Sequence, residues 1–259
     1  MIGIIGDGFV GSAIKKSLNN KNINVISYDK YKGIGNLNHL LKCNIIFFCL
    51  PTPFIDNIGY DLSPIEENLL FLSKNNYGGL VVIKSTISIG TCSQFLKNYN
   101  LKICHNPEFL TQRTAYEDFH NQKNIVIGYD QNPIDLKNLI DIYSKYNAKI
   151  NLCTTKESEA TKLFCNSFYA QKVMIFNEFY SLCQKLDINY NCIKRIMLDN
   201  DWINPMHTNV PGPDGKLAYG GACFPKDTKA LLKQMSDNQS YNEMLEACIK
   251  ERDKIRKDN

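Results

Sequence analysis

Six short, nearly continuous apolar runs follow one another through the first half of the chain, with helical patterns between them. They are MIGIIG (1–6), INVISYD (23–29), CNIIFFCLP (43–51), GLVVIKST (79–86), LKICHNP (101–107) and KNIVIGYD (123–130). Runs of this kind are typical of a parallel sheet that is covered by helices on both faces. The sequence therefore predicts an α/β fold.

A glycine-rich turn joins the first of these runs to the helical pattern SAIKKSLNNK. The turn has glycine at Gly6, Gly8 and Gly11. In a dinucleotide-binding turn, the first glycine makes the bend, the second lets the backbone approach a pyrophosphate, and the third lets helix and strand pack closely. The spacing predicts a Rossmann-like domain, although the motif alone is a weak signal.

The second apolar run ends in Asp29, 18 residues after Gly11. A carboxylate at this point can accept hydrogen bonds from both hydroxyls of an adenosine ribose, and it repels the additional phosphate of NADP. We therefore expect NAD as the cofactor. A flavodoxin-like glycine turn, with Asp29 as a surface residue, stays open as the alternative.

Composition limits the other classes of protein. With 259 residues, 44% hydrophobic and 22% charged, the chain has enough apolar material for one large or two smaller domains. The net charge of +4 is scattered, so we expect no nucleic-acid partner. No apolar run approaches the ~20 residues of a membrane span, and the amino terminus lacks the basic start of a signal peptide.

The ten cysteines have irregular spacing and form no CxxC pair. Most of them lie in apolar runs, which indicates reduced core thiols and a cytoplasmic protein. No cluster of Cys and His has the spacing of zinc ligands, so no metal site is predicted.

A long helix is predicted to open the second half. Thr154 and Glu157 have the spacing of a capping box, and few helix breakers follow before Leu186. The segment 168–182 (FYAQKVMIFNEFYSL) is more apolar than a small domain can cover, so we expect a homodimer formed through this helix. The predicted domains are 1–153 and 154–259.

The stretch GGACFPKD (220–227) places Cys223 in a loop rich in glycine and proline. A thiol displayed there can approach a substrate carbonyl, and a nearby cation can stabilise its thiolate. Lys162 and Asn166 lie one helical turn apart, and both can donate to an oxyanion. Their spacing alone favours surface residues, and only the neighbouring motifs reverse that interpretation.

Together the motifs resemble the UDP-glucose/GDP-mannose dehydrogenase family. The matching segments are GDGFVG (6–11), LPTP (50–53), KSTISIGT (84–91), NPEFL (106–110), EATKLFCNSFYAQKV (159–173) and GGACFPKD (220–227). The resemblance implies an amino-terminal NAD-binding domain, a long connecting helix and a smaller helical central domain through which subunits dimerise.

The resemblance also implies the activity: oxidation of a nucleotide sugar's primary alcohol to the carboxylate, with two NAD and one catalytic cysteine. UDP-glucose is the expected substrate and UDP-glucuronate the product. The catalytic residues carried over are Cys223, Lys162, Asn166, Asp227, Glu108 and Thr86. The cofactor-binding residues are Gly6, Gly8, Phe9, Val10, Gly11, Asp29, Pro51, Thr52 and Thr86.

Cys223 is expected to capture the aldehyde of the first oxidation as a thiohemiacetal, which a second hydride transfer converts to a thioester. Asp227 or Glu108 would then orient or deprotonate the hydrolytic water. His105, beside NPEFL, is assigned no chemistry. A two-electron β-hydroxyacid dehydrogenase and a non-catalytic NAD-binding remnant stay open as alternatives.

The chain also departs from the family pattern. Gln112 stands where many members carry glutamate, and Leu217-Ala218 replace an arginine–glycine pair. The sequence ends soon after GGACFPKD, so we expect the usual uridine-binding third domain to be missing, with a separate chain as its candidate source. The closing segment 242–259 predicts a charged helix.

Overall fold

The computed structural model describes residues 1–257 of the chain, which divides into two compact units, Met1–Lys162 and Leu163–Asn259. The predicted boundary at 153/154 lies earlier than this division, which falls within one long helix. The reason is that the first turns of that helix bond to the first unit, where Glu159 accepts hydrogen bonds from the backbone N–H groups of Gly90 and Cys92.

The first unit contains a seven-stranded sheet and a small hairpin. Its strands are β1 (Ile2–Ile5), β2 (Val25–Tyr28), β3 (Ile45–Phe48), β4 (Phe54–Ile55), β5 (Gly59–Tyr60), β6 (Leu80–Ile83), β7 (Lys102–His105), β8 (Asn124–Gly128) and β9 (Lys149–Cys153). The sheet order is β2-β1-β3-β6-β7-β8-β9, and β4 pairs with β5. The predicted α/β class is confirmed.

The sheet is mostly parallel, with one exception. All its neighbouring strands pair in parallel except β7 and β8, which meet antiparallel at His105 and Gly128. The connection between these two strands contains a 3-10 helix, Gln112–Thr114, and a short α-helix, Ala115–His120, which packs against the first helix of the chain. β8 and β9 therefore run opposite to the other five strands, within a sheet that is mostly parallel, as predicted.

Helices cover both faces of the sheet. The first unit contains α1 (Phe9–Asn20), α2 (Ser63–Lys74), α3 (Thr91–Asn98), α4 (Ala115–His120), α5 (Lys137–Tyr143) and the start of α6 (Thr155–Lys185). Side chains of β3 alternate between the faces: Phe47 packs in the cluster with α1, α4 and α5, and Phe48 packs with α2 and α3. This alternation explains why the strand reads as a continuous apolar run.

The second unit is helical. It contains the remainder of α6, followed by α7 (Tyr190–Leu198), α8 (Phe224–Asp237) and α9 (Glu243–Ile255). The predicted capping box forms at the start of α6, where the backbone N–H of Thr154 donates to Glu157 at 2.8 Å and the Thr154 hydroxyl accepts from the Glu157 N–H at 3.3 Å. The predicted closing helix is α9, and residues 258–259 lie outside the described chain.

Candidate active site

The glycine turn between β1 and α1 has the geometry that its sequence predicts. Gly6 has φ +92°, and a Cβ there would lie 2.4 Å from the carbonyl oxygen of Cys49. A Cβ on Gly11 would lie 1.9 Å from the carbonyl oxygen of Gly6. At Gly8, by contrast, an added Cβ meets nothing within 4 Å. The first and third glycines are therefore needed by the fold, and the second faces open space that fits the approach of a pyrophosphate.

Asp29 follows β2 and is tied to the glycine turn. Its carboxylate accepts the backbone N–H of Asp7 at 2.9 Å, and those of Tyr31 and Lys32 at 3.0 Å. Burial by itself raises the pKa of Asp29, but these backbone hydrogen bonds outweigh burial and lower the pKa below its ordinary value. The carboxylate is thus ionised and held where β1 and β2 end.

The other predicted cofactor residues lie in the loops after neighbouring strands. Phe9 and Val10 form the first turn of α1, while Pro51 and Thr52 follow β3. The hydroxyl of Thr52 donates to the carbonyl oxygen of Thr86, after β6, at 2.7 Å. These positions surround β1, whose neighbours β2 and β3 continue in opposite directions across the sheet. Open α/β sheets bind ligands at such a switch point, at the carboxyl ends of the strands.

A buried ion pair joins two of the predicted catalytic residues in the first unit. The ammonium of Lys162 lies 3.2 Å from a carboxylate oxygen of Glu108 and donates to the Glu108 carbonyl oxygen at 2.5 Å. It also lies 5.2 Å from the ring centroid of Phe109. The second carboxylate oxygen of Glu108 accepts the Leu110 N–H at 2.6 Å. The NPEFL segment therefore fixes the position of Lys162.

A buried lysine, for which the motifs predicted no role, lies next to this pair. Lys84 donates to the side chain of Asn106 at 2.9 Å and to the carbonyl oxygen of Pro107 at 3.3 Å. Asn106 also accepts from Tyr143 and donates to the carbonyl oxygen of Val126. Burial lowers the pKa of Lys84 to about 8. A lone lysine inside the apolar run GLVVIKST was the signal that could have identified it.

His105 is a core residue. It is fully buried, and its Nδ1 lies 2.8 Å from the hydroxyl oxygen of Ser158. Burial, reinforced by the charge of Lys84, lowers the pKa of His105 to about 3. The imidazole is therefore neutral at pH 7, in keeping with a structural role.

In the second unit, Cys223 is the residue directly before α8. It is half-buried, and its carbonyl oxygen accepts the N–H of Asp227 at 3.0 Å. The start of a helix carries the positive end of the helix dipole. This dipole favours the thiolate form of a cysteine at such a position.

Asp227 and Asn166 form the second contact between predicted catalytic residues. The side-chain amide of Asn166 donates to Asp227 at 2.6 Å, and both residues are buried. The ammonium of Lys226 lies 2.6 Å from the other carboxylate oxygen of Asp227. Lys162 and Asn166 were expected as two donors to one oxyanion, yet each of them donates to a carboxylate here. Partners of this kind orient the donors.

Residues 1–257 contain neither a candidate metal site nor a candidate membrane span. Within residues 1–257, no group of three or more His, Cys, Asp or Glu side chains is placed to hold a metal ion. No helix in that range combines the length and apolar character needed to cross a bilayer.

The fold and these residues define an α/β protein with a dinucleotide-binding turn. Residues 36–147 match the NAD binding domain of the UDP-glucose/GDP-mannose dehydrogenase family, and residues 156–253 match its central domain. A UDP-glucose 6-dehydrogenase from Campylobacter jejuni is 30% identical over 98% of this chain and 72% of that protein. The chain belongs to the UDP-glucose/GDP-mannose dehydrogenase family, as its motifs predicted.

Other relatives are longer than this chain. UDP-glucose 6-dehydrogenase from Rickettsia felis is 30% identical over 85% of this chain and 50% of its own length. The chain thus spans about half the length of the first curated relatives it matches. A UDP-glucose dehydrogenase from Pyrobaculum islandicum shares the fold, with a TM-score of 0.85 at 22% identity over 96% of this chain and 67% of that one.

A 3-hydroxyisobutyrate dehydrogenase from Mycobacterium tuberculosis shares the fold as well. It has a TM-score of 0.76 at 16% identity, and the match covers 96% of this chain and 91% of that one. The fold alone therefore does not separate the two dehydrogenase families.

The glycine turn gives a prediction that separates folding from cofactor binding. We expect Gly11→Ala to lower the free energy of unfolding by about 1–3 kcal/mol, because its methyl group overlaps the Gly6 carbonyl oxygen. We expect Gly8→Ala to keep wild-type stability and to weaken NAD binding at least about tenfold. Urea unfolding and NAD titration measure the two effects. Tight NAD binding by Gly8→Ala would contradict this assignment.

The buried imidazole predicts a pH dependence of stability. The folded pKa of His105, about 3, is far below the ordinary value of 6.5, so the unfolded chain binds one more proton between these values. Stability due to this group is complete above pH 6.5 and falls as the pH decreases, by about 1 kcal/mol between pH 6 and pH 5. We expect His105→Gln to remove that slope in urea unfolding, and His39→Gln, at an exposed site, to keep it.

Proposed function

We propose that this protein oxidises the primary alcohol of a nucleotide sugar to the carboxylate with NAD, and that UDP-glucose is its substrate. Family membership supports the class, and the names of the relatives support the substrate. The observation that carries the proposal is Cys223 at the start of α8, with Asp227 in the first turn of that helix. Oxidation of an alcohol to a carbonyl needs no nucleophilic thiol, whereas oxidation to the acid can use one.

NAD would supply the hydride acceptor for both oxidations. The residues that would hold it are those of the glycine turn, with Asp29 receiving the adenosine ribose. The ionised state of Asp29 supports NAD over NADP, because a second negative charge from a ribose phosphate would be repelled.

Cys223 takes part between the two oxidations. Its thiolate adds to the aldehyde carbon and the aldehyde oxygen takes up a proton, which gives a thiohemiacetal. The thiohemiacetal then returns that proton to water and loses a hydride, which NAD would accept, to become a thioester. Water then adds to the thioester carbonyl and releases the carboxylic acid and the thiol. The position of Cys223 at the start of α8 supports the thiolate through the helix dipole.

The remaining side chains stabilise charge and handle water. Lys162 is the donor for the developing oxyanion and Asn166 a second one, and both are already oriented by buried carboxylates. Glu108 or Asp227 orients or deprotonates the hydrolytic water, with Thr86 as a further hydrogen-bonding group.

Two rival functions are tested beside this one. The fold shared with 3-hydroxyisobutyrate dehydrogenase supports a two-electron β-hydroxyacid dehydrogenase. The other rival is a non-catalytic NAD-binding remnant. Counting NADH per substrate separates the two enzymes. Two NADH per substrate favour our proposal, and one NADH favours the β-hydroxyacid dehydrogenase. Stabilisation by NAD, with none from any of a panel of nucleotide sugars, would favour the remnant.

We further propose a cytoplasmic location. All ten cysteines lie in the described part of the chain, and none forms a disulfide there. Burial raises the pKa of Cys49 to about 12 and that of Cys92 well above its ordinary value, so these thiols are protonated. Reduced core thiols suit a reducing compartment.

A separate chain that carries a uridine-binding domain stays a prediction.

The first functional prediction concerns the thiol. We expect Cys223→Ser to bind NAD normally but to lose at least about a hundredfold in steady-state NADH production, or about 2.7 kcal/mol of barrier. Serine forms its alkoxide with difficulty at neutral pH, and an ester is less reactive than a thioester. Mass spectrometry should detect a trapped adduct or a trace of aldehyde.

Cys192→Ser, at an exposed site on α7, is the control. Two NADH per sugar at wild-type rate from Cys223→Ser would reject the mechanism.

We also propose a homodimer through α6, since one face of this helix exposes large apolar side chains. At 3.6 residues per turn they fall within roughly 60° of one another and extend along roughly 27 Å of the helix. They form the α6 stripe: Phe164, Phe168, Ile175, Phe179 and Leu182. A second copy is a suitable occupant, because two such stripes are self-complementary about a twofold axis.

The dimer prediction targets this stripe. We expect wild-type protein to be a dimer at micromolar concentration by light scattering, and Phe168→Lys/Leu182→Lys to be a monomer, because the charges cannot be buried unpaired. Gln184→Lys, on the opposite face of α6, should stay dimeric. A monomeric wild type, or a dimeric double variant, would reject the interface.

A further inference from the structure

Two arginines bind the segment that precedes Cys223: Arg252 lies in α9, and Arg256 is the residue directly after that helix. The guanidinium of Arg256 lies 2.6 Å from the carboxylate of Asp214 and donates to the carbonyl oxygen of Ala218 at 3.4 Å. Arg252 donates from Nε to the carbonyl oxygen of Tyr219 at 3.1 Å. Both arginines are buried, at 4% and 8% exposure. Buried guanidinium groups are costly to desolvate, so their contacts are specific and rigid.

The backbone they hold is strained. Ala218 has φ +59°, a left-handed conformation that costs a residue with a Cβ roughly 1–2 kcal/mol. Its N–H donates to the side chain of Asn177 at 2.9 Å, and its carbonyl oxygen receives Arg256. Both peptide groups of Ala218 are therefore fixed by side chains. A strained conformation persists only where its surroundings impose it in this way.

Tyr219 connects this segment to the helix that begins after Cys223. Its ring lies 5.7 Å from the guanidinium carbon of Arg252 and 6.4 Å, centroid to centroid, from the ring of Phe224. Its hydroxyl lies 3.4 Å from the hydroxyl oxygen of Thr228. Phe224 and Thr228 belong to the first turns of α8. A side chain from the segment before the cysteine thus contacts the helix that begins after it.

Gly220 allows Arg256 to approach this closely. A Cβ at Gly220 would lie 2.2 Å from Nη2 and 2.3 Å from the central carbon of the Arg256 guanidinium. The arginine therefore packs against a bare Cα, and any side chain at position 220 must displace it.

We propose that Arg252 and Arg256 are positioning residues for Cys223: they hold the segment 214–220 so that the thiol stands at the amino-terminal end of α8. The catalytic consequence rests on the proposed function, whereas the effect on the thiol itself does not. A loosened segment lets Cys223 leave the helix terminus, where the positive end of the α8 dipole favours its thiolate.

The test measures the thiol directly. Cys223 is alkylated with iodoacetamide across a range of pH in full-length wild type, Arg252→Gln and Arg256→Gln, and the modified peptide is quantified by mass spectrometry. We expect the midpoint of the Cys223 profile to rise by at least about half a pH unit in both variants, because the thiolate is less favoured. Alkylation of Cys192 in the same samples should not change. Lys250→Gln, which removes an exposed ion pair with Glu246 on α9, should match wild type.

Two further variants separate positioning from general stability. Arg256→Lys keeps a cation for Asp214, so its alkylation midpoint should return most of the way to the wild-type value. Gly220→Ala keeps both arginines but displaces Arg256, and should reproduce the shift. Wild-type midpoints in both glutamine variants would overturn the proposal. So would loss of NAD binding by the first unit in parallel with the shift, since that result indicates general unfolding.

Activity is the last measurement. If the enzyme turns over a nucleotide sugar, both glutamine variants should lose at least about tenfold in kcat with KM for NAD unchanged. If the wild type turns over no sugar while the alkylation midpoint still depends on the arginines, the proposed function fails and the positioning role stands. An unchanged kcat in an active enzyme would overturn the catalytic consequence.

Discussion

A buried carboxylate, Glu159, fixes the start of the long helix on which the candidate site is built. It is fully buried and accepts the N–H groups of Gly90 and Cys92 at 2.6 and 2.7 Å. Burial raises the pKa of Glu159, partly offset by those two hydrogen bonds. One turn of helix separates it from Lys162, so the same contacts that anchor α6 in the first unit also place the ammonium beside Glu108. Gly128 allows this approach, since a Cβ there would lie 2.5 Å from the Cβ of Ser158.

The proposed catalytic groups share one physical arrangement. Lys162 and Asn166 each donate to a buried carboxylate within their own unit, Glu108 and Asp227 respectively. Donors held in this way need little reorganisation when charge develops on a substrate, which is where preorganised sites gain most of their effect. The network of Lys84 and Asn106 beneath Glu108 extends the arrangement into the core. Such groups are strongly bound because a buried charge without a partner is costly.

The sequence predicted what depends on local pattern. The six apolar runs became strands, because side chains that alternate between two buried faces give continuous apolar sequence. The capping box at Thr154 and the role of Gly11 likewise depend on neighbours in the chain. β9 was missed, since an edge strand with half-exposed side chains lacks such a run. The hairpin of β4 and β5 was missed because strands of two residues have no period.

For the candidate site, the sequence predicted the residues that lie in motifs but not the contacts between them. Spacing and resemblance identified Lys162, Asn166, Cys223 and Asp227, but not which carboxylate each donor contacts. Those contacts join residues about 54 and 61 positions apart, and no local pattern encodes them. The arginines of α9 were read as part of a charged helix for the same reason. Their burial depends on Tyr219 and Ala218, more than 30 residues earlier.

Many family members carry an arginine–glycine pair where this chain has Leu217-Ala218. This difference bears on whether the cysteine segment is still functional. Alanine in a left-handed conformation costs roughly 1–2 kcal/mol, and a glycine there would avoid most of this cost. The Ala218 N–H donates to Asn177 at 2.9 Å, and its carbonyl oxygen receives Arg256 at a longer 3.4 Å. An intramolecular hydrogen bond contributes about 0.5–1.5 kcal/mol, so these contacts are of the same order as the strain. They hold the backbone in the conformation that glycine favours. The substitution therefore weighs less against turnover than its position in the motif suggests.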